Sequence, residues 1–131
     1  MSREPFQYVV VRWVPSIERE EFVNVGVILF CRTLRFLSAR IELVADRLAR
    51  LDPSGPAPEV VALLQAIPRI ASGQPDAGPI AHLAPSERFG WLAAPSSTVV
   101  QTSLIHTGLC EDPQRTLDHL VQRLVLPAEI G

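Results

Sequence analysis

Two short stretches of this sequence carry side chains that could do chemistry together. The first holds Arg12, Arg19, Glu21, Asn24 and Gly26. A carboxylate at Glu21 could take a proton or orient a ligand, the Asn24 amide both donates and accepts, and either arginine could hold an anion. Gly26 lies two residues beyond Asn24, which on a strand puts both on one face and leaves room there for a ligand. The second stretch, His106-Thr107-Gly108, joins a group that titrates near neutrality to a hydroxyl and a turn-forming glycine. It reads as a loop between a strand and a helix, a common place for binding groups. If the stretches converge, Glu21 and His106 form the proton-transfer pair of a small enzyme. Arg12, Arg19, Asn24, Gly26, Thr107 and Gly108 then hold an anionic or nucleotide-like ligand.

Each stretch also has an explanation internal to the fold. Buried polar groups are usually satisfied by the protein itself, so Glu21 pairing an arginine and Asn24 tying down a connector account for the first stretch equally well. A loop histidine bonded to nearby backbone accounts for the second. Other chemistry lacks its signature. His82 and His119 are not spaced to join His106 around a metal, and Cys31 and Cys110 do not form a metal knuckle or meet an evident base. There is no Gly-rich phosphate loop, Gly-x-Ser-x-Gly elbow, Cys-x-x-Cys or His-Glu-x-x-His. No metal and no cofactor are expected.

These residues must be positioned by elements of alternating and helical period. Residues 7–14 alternate apolar side chains on both sides and end at Pro15, which predicts a first strand. Residues 17–22 form a charged connector. Residues 23–31 are nearly all apolar and predict a buried second strand broken only by Asn24 and Gly26. A tight reversal at Arg32-Thr33 returns residues 34–41 as a third strand, with Arg32, Arg35 and Arg40 read as a charged strand edge or a local arginine patch. Helical spacing follows in residues 41–51 and 58–67, the latter kinked or ended by Pro68. An irregular surface loop spans about 72–85, a short helix with Phe89 and Trp91 covers 86–92, and residues 97–103 predict a fourth strand. Asp112 is a helix N-cap with Pro113 at the first position, and Leu117, Leu120, Val121, Leu124 and Val125 form one stripe. The expectation is a single α+β domain over residues 1–131. Its antiparallel sheet of about four strands, a three-strand N-terminal meander plus one later strand, carries helices packed on one face. Val9, Val11, Trp13, Val25, Val27, Leu29, Leu117, Leu120, Val121 and Leu124 are expected in one core.

Composition narrows the partners. All 12 basic residues are arginine, 14 residues are acidic and the net charge is −2, so the field that draws proteins to nucleic acid is missing. Only eight residues are aromatic. A nucleic-acid-associated role therefore ranks third among the readings. No apolar run approaches the roughly 18 residues that span a bilayer and no apolar leader opens the chain, so membrane association is not expected. The cysteines fit reduced core positions, and a bacterial cytoplasm is the expected location.

The same residues carry a resemblance. Tyr8 to Pro15, Arg19 to Phe30, Arg88-Phe-Gly-Trp-Leu92 and His106-Thr-Gly-Leu109 before Asp112-Pro113 resemble the bacterial family catalogued as domain of unknown function 3037. Nearly the whole chain is covered, and the pattern Glu21, Phe22, Asn24, Gly26 is its most specific part. Ser103-Leu104 stands where the family more often has Ser-Pro, and Cys110 where it often has threonine or another small residue. The resemblance implies no established activity. It does imply association with HipA-like kinases, whose genes often lie beside those of the family. An accessory or regulatory protein-binding module is thus the leading expectation, with the small enzyme as its alternative.

Overall fold

The computed structural model describes residues 2–94 and 99–127. Strand β1 (Glu4–Ser16) pairs antiparallel with β2 (Glu21–Cys31), and β2 pairs with β3 (Phe36–Ile41). Helices α1 (Ala45–Leu51), α2 (Pro58–Ala71) and α3 (Pro85–Ala93) follow, with a 3-10 turn at Pro79–His82. Then come β4 (Val100–Thr102), β5 (His106–Cys110) and α4 (Pro113–Leu124). The class is α+β, and the sheet order is β3-β2-β1-β4, with β5 also on β1.

Strands β4 and β5 share one edge position. β4 pairs with Val11 to Trp13 and β5 with Glu4 to Tyr8, so together they act as a single broken fourth strand. Ser103 makes the break. Its N–H donates to Val10 O at 2.9 Å, while its Oγ accepts the Val10 N–H at 2.9 Å in place of a backbone carbonyl. Of the fourth strand expected from sequence, Ser97 and Thr98 lie outside the described residues.

An extra residue in β2 decides what faces where. Val11 pairs with Gly26 and the next residue, Arg12, pairs with Asn24, so Val25 is a β-bulge and the facing pattern of β2 changes across it. Beyond the bulge both sides of β2 are apolar. Ile28 and Phe30 join Val9, Val11, Trp13, Leu48, Leu64, Ile67 and Phe89 in one core cluster. Val27, Leu29 and Cys31 join Phe6, Cys110, Leu117, Val121 and Val125 in another. The helices therefore divide, with α1, α2 and α3 on the first face and α4 on the second, instead of gathering on one. The ten residues expected in one core fall into these two layers because the sheet runs between them.

Local chemistry accounts for most boundaries. Asp112 Oδ1 accepts from Gln114 N and Arg115 N at 3.1 and 3.2 Å, capping α4 as its sequence predicts. Pro68 does not end α2, which continues to Ala71. Residues of the expected first helix before Ala45 belong to β3 and its exit. The reversal between β2 and β3 takes four residues, 32–35, and Arg35 occupies the left-handed region at φ 52°.

Candidate functional site

The residues of the first stretch are brought into one neighbourhood only in part. Glu21 opens β2 opposite Ser16, and its carboxylate takes Arg19 Nη2 at 2.9 Å in an ion pair whose side chains are 41% and 72% exposed, respectively. Such a pair contributes at most about 1 kcal/mol. Asn24 faces α4. Its Nδ2 donates to Leu124 O at 3.0 Å, and Arg47 Nη1 from α1 donates to Val125 O. Two donors thus hold carbonyls at the C-terminal end of α4, where the helix dipole favours positive charge. Arg12, cross-strand from Asn24, lies 4.2 Å over the Phe22 ring. Asn24 Oδ1 and Arg12 Nε, both buried, have no partner among the described residues.

Gly26 does not open space for a ligand beside Asn24. The bulge places it on the opposite face, where an added Cβ would run into Ile41 Cδ1 and the Arg40 carbonyl. Its bare backbone lets β3 approach.

The second stretch is a strand, not a loop. His106, Thr107 and Gly108 belong to β5, paired with Tyr8, Gln7 and Phe6. The His106 ring stacks on Tyr8 at 5.0 Å, and the Phe6 ring covers Gly108 so closely that a Cβ there would sit 2.6 Å from Phe6 Cζ. Thr107, between them on the strand, points to the other face. Along β1, Glu21 pairs at Ser16 and His106 at Tyr8, a separation of eight residues or roughly 26 Å. Asn24, pairing at Arg12, is roughly 13 Å along the strand from His106. Glu21, Asn24 and His106 therefore do not meet, and no proton can pass directly among them.

Both sulfurs are buried. Cys31 and Cys110 are free, and burial, with Cys31 nearby, pushes the Cys110 thiol up to about 11. A thiol held protonated at neutral pH is a poor nucleophile and a poor metal ligand. Among the described residues no group of three His, Cys, Asp or Glu side chains could hold a metal ion. Two arginines of the β2–β3 hairpin, Arg40 and Arg32, line different cavities. Arg40 binds Glu42 at 2.6 Å and Asp118 at 3.0 Å, which raise its pKa, beside a cavity of about 660 Å³ along α4. Arg32 lines a different cavity on the first face.

Two features were not picked out from sequence. The outer edge of β5 bonds to no strand among the described residues, and β5 with the residues before it exposes Leu104 (86%), Leu109 (61%) and Ile105 (50%), while α3 exposes Trp91 (64%). Beneath α3, a cleft of about 490 Å³ is bounded by Gln7, Phe30, Arg32, Ser86, Phe89, Gly90, Ile105 and Thr107, among others. A run of apolar residues next to His106 and an aromatic pair in a short helix were the only signals available.

The chain belongs to the family described as Protein of unknown function (DUF3037), whose match extends over residues 8–125. No curated protein and no solved structure matches it. No helix among the described residues is long and apolar enough to cross a membrane.

Proposed function

We propose, with membership of that family as the premise, that the protein is an accessory or regulatory module that binds a protein partner. The partner suggested by the resemblance is a HipA-like kinase. The observation that carries the reading is the edge of β5, bare among the described residues. Native sheets usually blunt an open edge with lysine, proline or an inward-pointing charge. β5 has none of these in His106–Cys110; it exposes its own Leu109 and is preceded by exposed Leu104 and Ile105. A partner segment adding as a further strand would satisfy the free backbone groups and cover those side chains. The roughly 26 Å between the pairing positions of Glu21 and His106 weighs against the enzyme alternative. Ion pairing of Arg19, Arg40 and Arg69 weighs against the nucleic-acid reading.

Affinity purification of the full chain from its native host, with mass spectrometry, tests the proposal. The expected result is a kinase-like protein recovered with wild type and reduced about tenfold or more with Leu109→Glu, at an unchanged melting temperature. Recovery of that protein at equal yield with Leu109→Glu would remove β5 from the interface.

A further inference from the structure

The cleft beneath α3 has the construction of a ligand site; it shares Ile105 and Thr107 with the neighbourhood of the protein-docking edge, but Leu109 takes no part in its lining. Its floor follows from strand register. Thr107 on β5, Gln7 on β1 and Phe30 on β2 are successive cross-strand neighbours, their side chains lie on the first face, and no residue of α1 or α2 is in the lining they share. Phe89 of α3 stacks on Phe30 at 5.3 Å, giving the cleft an aromatic back wall. Gly90 follows in the same helix, and an added Cβ there would meet nothing within 4 Å. Gly90 thus adds no side-chain bulk to the lining of the cleft.

The polar groups around this apolar interior are unused. Among the described residues the side chains of Gln7, Ser86, Thr107 and Arg32 make no hydrogen bond or ion pair, and all four line the cleft. Arg32 is the one charged residue of the lining, with no carboxylate beside it there. Nearby Glu4 is engaged by Thr33, whose hydroxyl donates to it at 3.0 Å. A volume of about 490 Å³ lies within the range of small-molecule clefts, and an apolar body with a few convergent polar groups is their usual design.

We infer that this cleft binds a small amphipathic anion: an aromatic or similarly flat apolar body seated against Phe30 and Phe89, with its carboxylate at Arg32. The Gln7 amide and the Ser86 and Thr107 hydroxyls supply further hydrogen bonds to polar substituents. A guanidinium and a carboxylate match as a two-pronged pair, which gives the charge its selectivity.

Calorimetric titration of the full chain with 2-naphthoate and with its neutral amide tests this. Naphthoate is expected to bind about tenfold or more tightly than the amide, a difference that Arg32→Gln erases. Gly90→Leu, which adds bulk to the lining at a position with open space, is expected to weaken binding of both at an unchanged melting temperature. Absence of naphthoate binding, equal binding of acid and amide, or undiminished binding by Gly90→Leu would each overturn the inference. Leu109→Glu is expected to leave naphthoate binding intact, so the cleft and the docking edge fail or stand separately.

Discussion

Around Asn24 most polar groups are tied to the protein's own frame, with Asn24 Oδ1 and Arg12 Nε left over among the described residues, whereas around Thr107 none is tied. Asn24 and Arg47 both donate to carbonyls at the end of α4, and Arg40 reaches Asp118 on the same helix. Polar residues of β2, β3 and α1 thus fix a second-face helix whose apolar stripe is already buried. On the first face, Gln7, Ser86, Thr107 and Arg32 surround a cleft and bond to no other side chain among the described residues. Stability asks nothing of them there. A polar residue inside an apolar strand is thus the weaker sign of a site, because burial presses the fold to satisfy most of its hydrogen-bonding groups, while an ordinary surface residue beside an aromatic wall is free to serve a ligand.

The largest effect that would test this division falls on α4. Leu117 is fully buried against Val27, Leu29 and Val121, so Leu117→Ala should destabilise by roughly 2 to 5 kcal/mol in chemical denaturation. A loss below about 1 kcal/mol would mean that α4 is not fixed by its apolar stripe and that the polar contacts carry it instead.

The next effect depends on pH. Cys110 lies in the same layer, its thiol held by burial and by neighbouring Cys31 at about 11 against an ordinary 9.0. As pH rises from 9 to 11 the unfolded thiol loses its proton while the folded one keeps it. The unfolded state then binds fewer protons, so stability must fall with rising pH, by on the order of 2 kcal/mol across the interval. Cys110→Ala should flatten that part of the stability profile relative to wild type. An unaltered slope would place the alkaline loss in other groups.

Much of this architecture is legible in the amino-acid sequence. Asp112 and Pro113 announce the start of α4, alternation locates β1, and the unbroken apolar run of β2 signals burial on both sides, which the split of helices between two faces satisfies. The site is less legible, for physical reasons. Asn24 finds its acceptor 100 residues away, so no local pattern distinguishes a helix anchor from a ligand group. The Val25 bulge reverses the facing of Gly26, and a one-residue insertion is invisible to strand periodicity. β5 hides because Gly108 weakens strand propensity, and the Phe6 ring that covers it comes from the other end of the chain. The cleft is assembled from β1, β2, α3 and β5, each contributing residues that look ordinary alone.

The smallest effects make the sharpest contrast between the two regions. Asn24→Ala leaves the carbonyl of half-buried Leu124 without its donor and should cost about 1 kcal/mol. Thr107→Val keeps the shape of an exposed residue whose hydroxyl bonds to nothing among the described residues, and it should change stability by no more than about 0.5 kcal/mol. Measured side by side by urea unfolding, the pair reads directly whether each neighbourhood serves the fold. A neutral Asn24→Ala would free Asn24, with Arg12 beside it, for a binding role. A costly Thr107→Val would instead mean that the cleft rim is structural, because a residue reserved for a ligand can be removed without loosening the protein that carries it.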